Sequence, residues 1–137
     1  MTIKKTVIAT QQAPRAIGPY SQGISIGELV FVSGQIPVDP TTDSVVVGGI
    51  KEQTAQALIN LGAVLNASRL SYQDVVKTTV YMKDLSAFAE MNEVYGRIFS
   101  APHPARATIQ AAALPKGALI EIEAIAVKRN SADRIAL

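Results

Sequence analysis

The chain has 137 residues, 48% of them hydrophobic, which is enough for one compact core and too apolar for a disordered segment. It contains no cysteine and a single histidine, His103, so disulfide staples, thiolate catalysis and cysteine-ligated metals are excluded, and a zinc or haem centre lacks ligands. The net charge is +2, with 13 Lys and Arg spread along the chain and only 5% aromatic residues; a nucleic-acid interface, which needs a basic stripe and stacking platforms, has little support despite an isoelectric point near 9.0.

The opening "MTIKKTVIATQQ" has two lysines but no apolar run of signal-peptide length, and no stretch approaches a membrane span. A soluble, cytoplasmic protein is expected, with one domain over residues 1–137. "KKTVIAT" is a short β-prone run. "QQAPRAIGPYSQG" follows as a loop punctuated by Pro14, Gly18, Pro19 and Gly23. In "ISIGELVFVSG" two apolar runs flank Gly27 and Glu28, which predicts a hairpin.

From Gly49 to Leu65, Ile50, Ala57, Leu58, Leu61 and Leu65 recur at helical spacing, with Lys51, Glu52, Gln56 and Asn60 between them; this is an amphipathic helix. "DVVKTTVYM", Asp74 to Met82, is rich in β-branched residues and predicts a strand with Val76, Thr78, Val80 and Met82 on one side. A second helix is expected from about Ser86, with Phe88, Met91, Val94, Tyr95 and Ile98 as its stripe, ending near "SAPHP". Two further strands surround "LPKG". The tail "NSADRIAL" is polar and mixed. The order predicts an α+β domain with both helices on one sheet. The last strand is apolar on both faces, Leu119, Ile125 and Val127 on one and Ile120, Ile122, Ala124 and Ala126 on the other. Two helices cover one face only, so the second calls for another subunit.

Charges interrupt that last pair of strands. Glu121 and Glu123 share a face by the period-2 rule, either solvated at a rim or set there for chemistry. Arg106 opens the preceding strand, either as a structural salt bridge or as a planar fork for a substrate carboxylate. A simple hairpin at "LPKG" pairing Ala113 with Leu119 sets Glu121 opposite Ala111 and leaves Arg106 on the other face; a one-residue shift or bulge reverses that, and both registers stay open. Tyr20 and Ser21 lie in the Gly/Pro loop. Ser33 and Gly34 end the hairpin, as a turn or as an anion-holding backbone. His103, between two prolines, reads as an exposed loop residue. No Ser-His-Asp order, phosphate loop or metal spacing is present.

Taken together, "IGPYSQG", "VSGQIPVDP", "VVKTTVYMKDL", "FAEMNEVYGRIF", "PARATIQ" and "ALPKGALIEIEAIAV" resemble the Rid family, the reactive intermediate deaminases also known as YjgF proteins. The resemblance runs through nearly the whole chain in unbroken order. It implies a chorismate-mutase-like fold of about six strands backed by two helices, assembled as a homotrimer with clefts between subunits. It also implies hydrolysis of 2-enamino and 2-imino acids, such as 2-aminoacrylate, 2-iminopropanoate and 2-iminobutanoate, to 2-keto acids and ammonia, with no cofactor and no metal. By position, Arg106 matches the family's carboxylate-gripping arginine and Glu121 its acidic residue for the attacking water. Tyr20, Ser33, Gly34 and Asn92 match pocket positions. Thr108 stands where many members have cysteine, which removes any thiol-based switching; Glu123 is assigned to structure.

The chemistry agrees with these roles. A 2-imino acid has an electrophilic carbon beside a carboxylate and needs an anion clamp and one group that takes and returns a proton. Two rival classes stand beside this one. Relatives described as translation-inhibiting ribonucleases suggest an RNA substrate, and members that keep the fold but lose the arginine suggest a non-catalytic ligand-binding or regulatory protein. This chain keeps the arginine.

Overall fold

The computed structural model describes residues 3–129; the tail "NSADRIAL" lies outside them. β1 (Lys5–Ile8) leads through the Gly/Pro loop to β2 (Gly23–Ile26) and β3 (Leu29–Gln35), followed by a two-stranded ribbon, β4 (Val38–Asp39) and β5 (Ser44–Val45). Then come α1 (Ile50–Ala67), β6 (Val75–Met82), α2 (Phe88–Ile98), β7 (Ala105–Gln110) and β8 (Ile120–Val127). The main sheet has six strands in the order β1-β2-β3-β8-β6-β7; β6 and β7 are parallel and every other neighbour pair is antiparallel. Both helices lie on one face, so the α+β architecture with a mixed six-stranded sheet matches the expectation.

The hairpin closes where expected, with Ile26 opposite Leu29 and Gly27 at φ 57, a conformation glycine adopts without steric cost. The ribbon β4–β5 was not anticipated. The strand over 75–82 carries a second difference. A register shift between Val75 and Lys77 turns Val75 inward and leaves Val76 47% exposed, while Thr78, Val80 and Met82 are fully buried. One extra residue at a bulge flips the side of whatever precedes it.

β7 and β8 do not form the hairpin considered for "LPKG". β8 enters between β3 and β6, and β7 lies beyond β6. Between them, Pro115–Gly117 makes a short 3-10 turn with Lys116 at φ 55 and Gly117 at φ 66. Burial explains the order. The buried row of β8, Ile120, Ile122, Ala124 and Ala126, needs the centre of the sheet beneath the helices, whereas β7 is exposed over most of its length and tolerates the edge.

The core is one cluster between sheet and helices, with Leu58, Leu61, Val64 and Leu65 of α1 and Met91 and Tyr95 of α2 packed on Val30, Val80, Met82, Ile120 and Ile122. Buried polar side chains of α1 pin the chain near the ends of β3 and β8. Asn60, fully buried although its neighbours suggested the solvent side, donates Nδ2–H to the carbonyls of Ile36 (3.0 Å) and Val38 (2.8 Å). Gln53 Oε1 accepts the Leu119 N–H at 2.8 Å, one residue before β8. Each bond satisfies a backbone group the sheet leaves open.

The outer face of the sheet is apolar and uncovered among the described residues. Val7 is 62% exposed, Phe31 40% and Ile109 47%, and Ile24, Ile26, Ile125 and Val127 are half-buried beside them. None of the helices is long and apolar enough to cross a membrane, among the described residues.

Candidate active site

Arg106 is presented by an aromatic and amide cradle on α2. The parallel register sets Arg106 beside Thr78 on the helix side of the sheet. There its guanidinium carbon stands 4.7 Å from the Tyr95 ring centroid and 5.4 Å from that of Phe88, and Nη1–H donates to Asn92 Oδ1 at 2.8 Å. Phe88, Asn92 and Tyr95 are spaced i, i+4, i+7, one stripe of the helix. The Tyr95 hydroxyl is itself fixed by a 2.7 Å hydrogen bond with Thr78 on β6. None of the ion pairs among the described residues involves Arg106, so the structural salt bridge considered for it is not made. A guanidinium held by ring faces and one amide oxygen keeps donors for an incoming carboxylate. Two residues along β7, the Thr108 hydroxyl oxygen is buried and has no hydrogen-bond partner among the described residues, a further polar group on the same side of the strand.

Glu121 belongs to a different cluster. It is half-buried on the outer face, paired across β8–β6 with Tyr81, and its Oε1 is so close to β3 that a Cβ on Gly34 would lie 2.8 Å away. A larger residue there would push the carboxylate from this position. Burial first, and the charge of Glu123 second, push the Glu121 carboxyl above the ordinary carboxylate range. Tyr81 donates its phenol to Glu123 Oε1 at 3.2 Å; burial first, then Glu123, raise the phenol in turn.

The register of β3 against β8 shifts between Val32 and Gln35, and this irregularity carries Ser33 and Gly34. Ser33 donates its hydroxyl to the Ser21 carbonyl and its N–H to the Gln22 carbonyl, so this hydroxyl fastens the loop before β2. Gln22 fastens the loop's other end: its Nε2 lies within hydrogen-bond distance of the carbonyls of Thr10, Ala13 and Pro14, and its Oε1 accepts the Thr10 N–H at 2.7 Å. Tyr20, 55% exposed at the loop's tip, shares with Gly34 a cavity of about 280 Å³ whose wall includes Arg15 and Lys116. A larger recess of about 520 Å³ along α1 has Tyr72 as its one titratable lining residue, and that hydroxyl is committed to the Leu58 carbonyl. His103 is exposed in a loop, as read from its prolines.

Within one chain the two clusters are not brought together. Thr78, beside Arg106, and Tyr81, beside Glu121, are three apart on β6 and therefore point to opposite faces. Arg106, Asn92 and Thr108 stand on the helix side at the β7 edge; Glu121 and Gly34 stand at the outer face. Phe88 and Tyr95 escaped the sequence reading as site residues because an aromatic stripe reads as core. Tyr81 escaped it because nothing local links it to Glu123. Among the described residues no group of three His, Cys, Asp or Glu side chains converges as a metal site.

This geometry accompanies a match of residues 10–128 to the family model described as Endoribonuclease L-PSP. The chain belongs to that family. It is similar to a RutC family protein of Pyrococcus horikoshii, 53% identical over 90% of this chain and 98% of the relative. It is also similar to the 2-iminobutanoate/2-iminopropanoate deaminase of Mus musculus, 46% identical over 93% of this chain and 94% of the relative. Among solved structures, that of the YjgF gene product from E. coli superposes with a TM-score of 0.85 at 47% identity, covering 90% of this chain and 99% of the other. The resemblance read from "IGPYSQG" through "IEIEAIAV" is thus a family relationship.

Proposed function

We propose that the protein is a hydrolytic deaminase that converts 2-imino acids, and the 2-enamino acids in equilibrium with them, to 2-keto acids and ammonia. The observation that carries this reading is Arg106, a guanidinium fixed by Phe88, Tyr95 and Asn92 that makes no ion pair among the described residues, a geometry suited to clamping an anion. A second support is Glu121, a half-buried carboxyl that burial and the neighbouring Glu123 hold above its ordinary range, which suits a group that takes and returns a proton. The name of the mouse relative, 2-iminobutanoate/2-iminopropanoate deaminase, supports this substrate class.

The reaction needs both groups at one carbon. Arg106 binds the substrate carboxylate; Asn92 keeps the guanidinium oriented, and Thr108 offers a hydroxyl beside it. Water adds to the C=N carbon as Glu121 accepts one of its protons and hands it to the nitrogen; the same carboxyl then takes the proton of the new hydroxyl and delivers it to the amine, the C–N bond breaks as the carbonyl forms, and ammonia leaves. No cofactor takes part. Gly34 lies against Glu121 and shares a cavity with Tyr20; Tyr20 and Ser33 are assigned to the substrate pocket by the family resemblance.

Because Arg106 and Glu121 occupy opposite faces of one sheet, the site in this reading is completed between copies. The apolar outer face, with Val7, Phe31 and Ile109 exposed, is the surface that closed association would cover, and the assembly is a homotrimer with a cleft at each junction. Light scattering at low micromolar concentration is expected to give about three times the chain mass; a clean monomer overturns the assembly.

The experiment that tests the function adds the protein to a threonine dehydratase reaction and follows 2-ketobutyrate. Faster release is expected, and an unchanged rate overturns the reading. The family's description as an endoribonuclease makes RNA the other arm of the experiment. With a net charge of +2 spread along the chain, RNA is expected to stay intact at physiological salt; cleavage abolished by Arg106→Ala or Glu121→Ala would favour the nuclease.

A further inference from the structure

The two carboxylates of β8 share a face but not their neighbours. Tyr81 stands directly across from Glu121 in the β6–β8 register, yet its phenol reaches diagonally to Glu123 Oε1 at 3.2 Å. Glu121 has no hydrogen-bond donor and no ion pair among the described residues; its wall is the backbone of Gly34, where a Cβ would lie 2.8 Å from Oε1. One carboxylate is fixed by a donor, and its neighbour two residues away is left without one.

We propose that Tyr81 and Glu123 form a positioning pair that makes Glu121, and not Glu123, the proton carrier of the site. Two carboxyls divide an acid–base task when their surroundings differ. Here the phenol holds the Glu123 charge in a set direction beside Glu121, and a second negative charge there costs more than the first. The desolvation of Glu121 against Gly34 acts in the same sense. The proton taken from water therefore rests on Glu121 and passes from it to the substrate nitrogen; Glu123 exchanges none. On the strands flanking β8 this face also carries Lys77, whose Nζ donates to Thr79 Oγ1 at 3.1 Å, with Thr79 itself opposite Glu123, and the uncharged Ser33 and Gly34 of β3; Lys5 of β1 lies on the same face two strands beyond β3. In the assembly proposed above, Arg106 of a neighbouring copy adds one positive charge.

This role rests on the deaminase reading, and the experiment separates the two. Glu123→Gln keeps size and an acceptor for Tyr81 while removing the charge, and leaves Lys77 and Arg106 as they are. Two quantities are measured on wild type, Glu123→Gln and Tyr81→Phe: the acidic limb of kcat/KM against pH, and the titration of the Glu121 side-chain carbonyl by carbon-13 NMR. In Glu123→Gln both are expected to move to lower pH by about half a unit or more; Tyr81→Phe, which frees Glu123 to turn away, is expected to move them in the same direction by less. A Glu121 titration identical in wild type and folded Glu123→Gln overturns the pair. So does turnover abolished by Glu123→Gln but kept in Glu121→Gln. If wild type shows no deaminase activity, the function proposed above falls, and the NMR titration still decides the pair.

Discussion

Arg106→Lys is expected to lose activity nearly as fully as Arg106→Ala. The guanidinium is a flat group between two ring faces, 4.7 Å from Tyr95 and 5.4 Å from Phe88, with one donor spent on Asn92. An ammonium reproduces the charge but neither the stacking nor two parallel hydrogen bonds to a carboxylate. In both variants kcat/KM for 2-iminobutanoate is expected to fall by about tenfold or more. Melting temperature should change little, because Arg106 is exposed and joins no ion pair among the described residues. A structural role predicts the opposite pattern: Arg106→Ala would melt early and Arg106→Lys would restore both stability and turnover. Deaminase activity kept in a well-folded Arg106→Ala would remove the clamp and the function built on it.

Glu121→Gln should abolish turnover while leaving the fold as stable as before or more so. Glutamine matches the side chain in size but accepts no proton, and positioned acid–base help is worth about 10² to 10⁴ in rate. Binding of a 2-keto acid product analogue should persist, since the clamp is untouched. The folded protein holds this carboxyl above its ordinary value, so its contribution to stability is full while it is protonated, below the unfolded value, and is lost as pH rises through the raised value. Above that raised value the wild type carries an ionised, half-buried carboxylate, and there the variant is expected to melt at the same or a higher temperature. The difference should close as pH falls below the ordinary carboxylate range. Full activity in Glu121→Gln would move the base to Glu123 or Tyr81.

What could be read from the sequence was local or periodic. Ile50 to Leu65 announced a helix by spacing, Gly27 announced a turn, and the double apolar character of "LIEIEAIAV" announced a strand covered twice. The pairing of strands was not legible. "LPKG" looks like a hairpin turn because turn chemistry is local, but the depth to which Ile120 and Ile122 are buried decides where β8 inserts, and burial is a property of the whole sheet. The clamp's surroundings were hidden for the same reason. Phe88 and Tyr95 have core spacing, and only the parallel docking of β7 on β6 brings Arg106 across them. Glu121 was found from its oddity, a carboxylate in an apolar strand. Its relation to Tyr81 needed a register that no residue near it in sequence specifies.

The opposite-face arrangement of Arg106 and Glu121 also bears on inheritance. In the assembly proposed above, each chain lends its arginine to one cleft and its glutamate to another. A chain damaged at Arg106 and a chain damaged at Glu121 therefore carry complementary faults: where they meet in one orientation the cleft receives two sound groups, and in the other it receives none. Two defective alleles of this gene in one cell would restore part of the activity that each alone has lost.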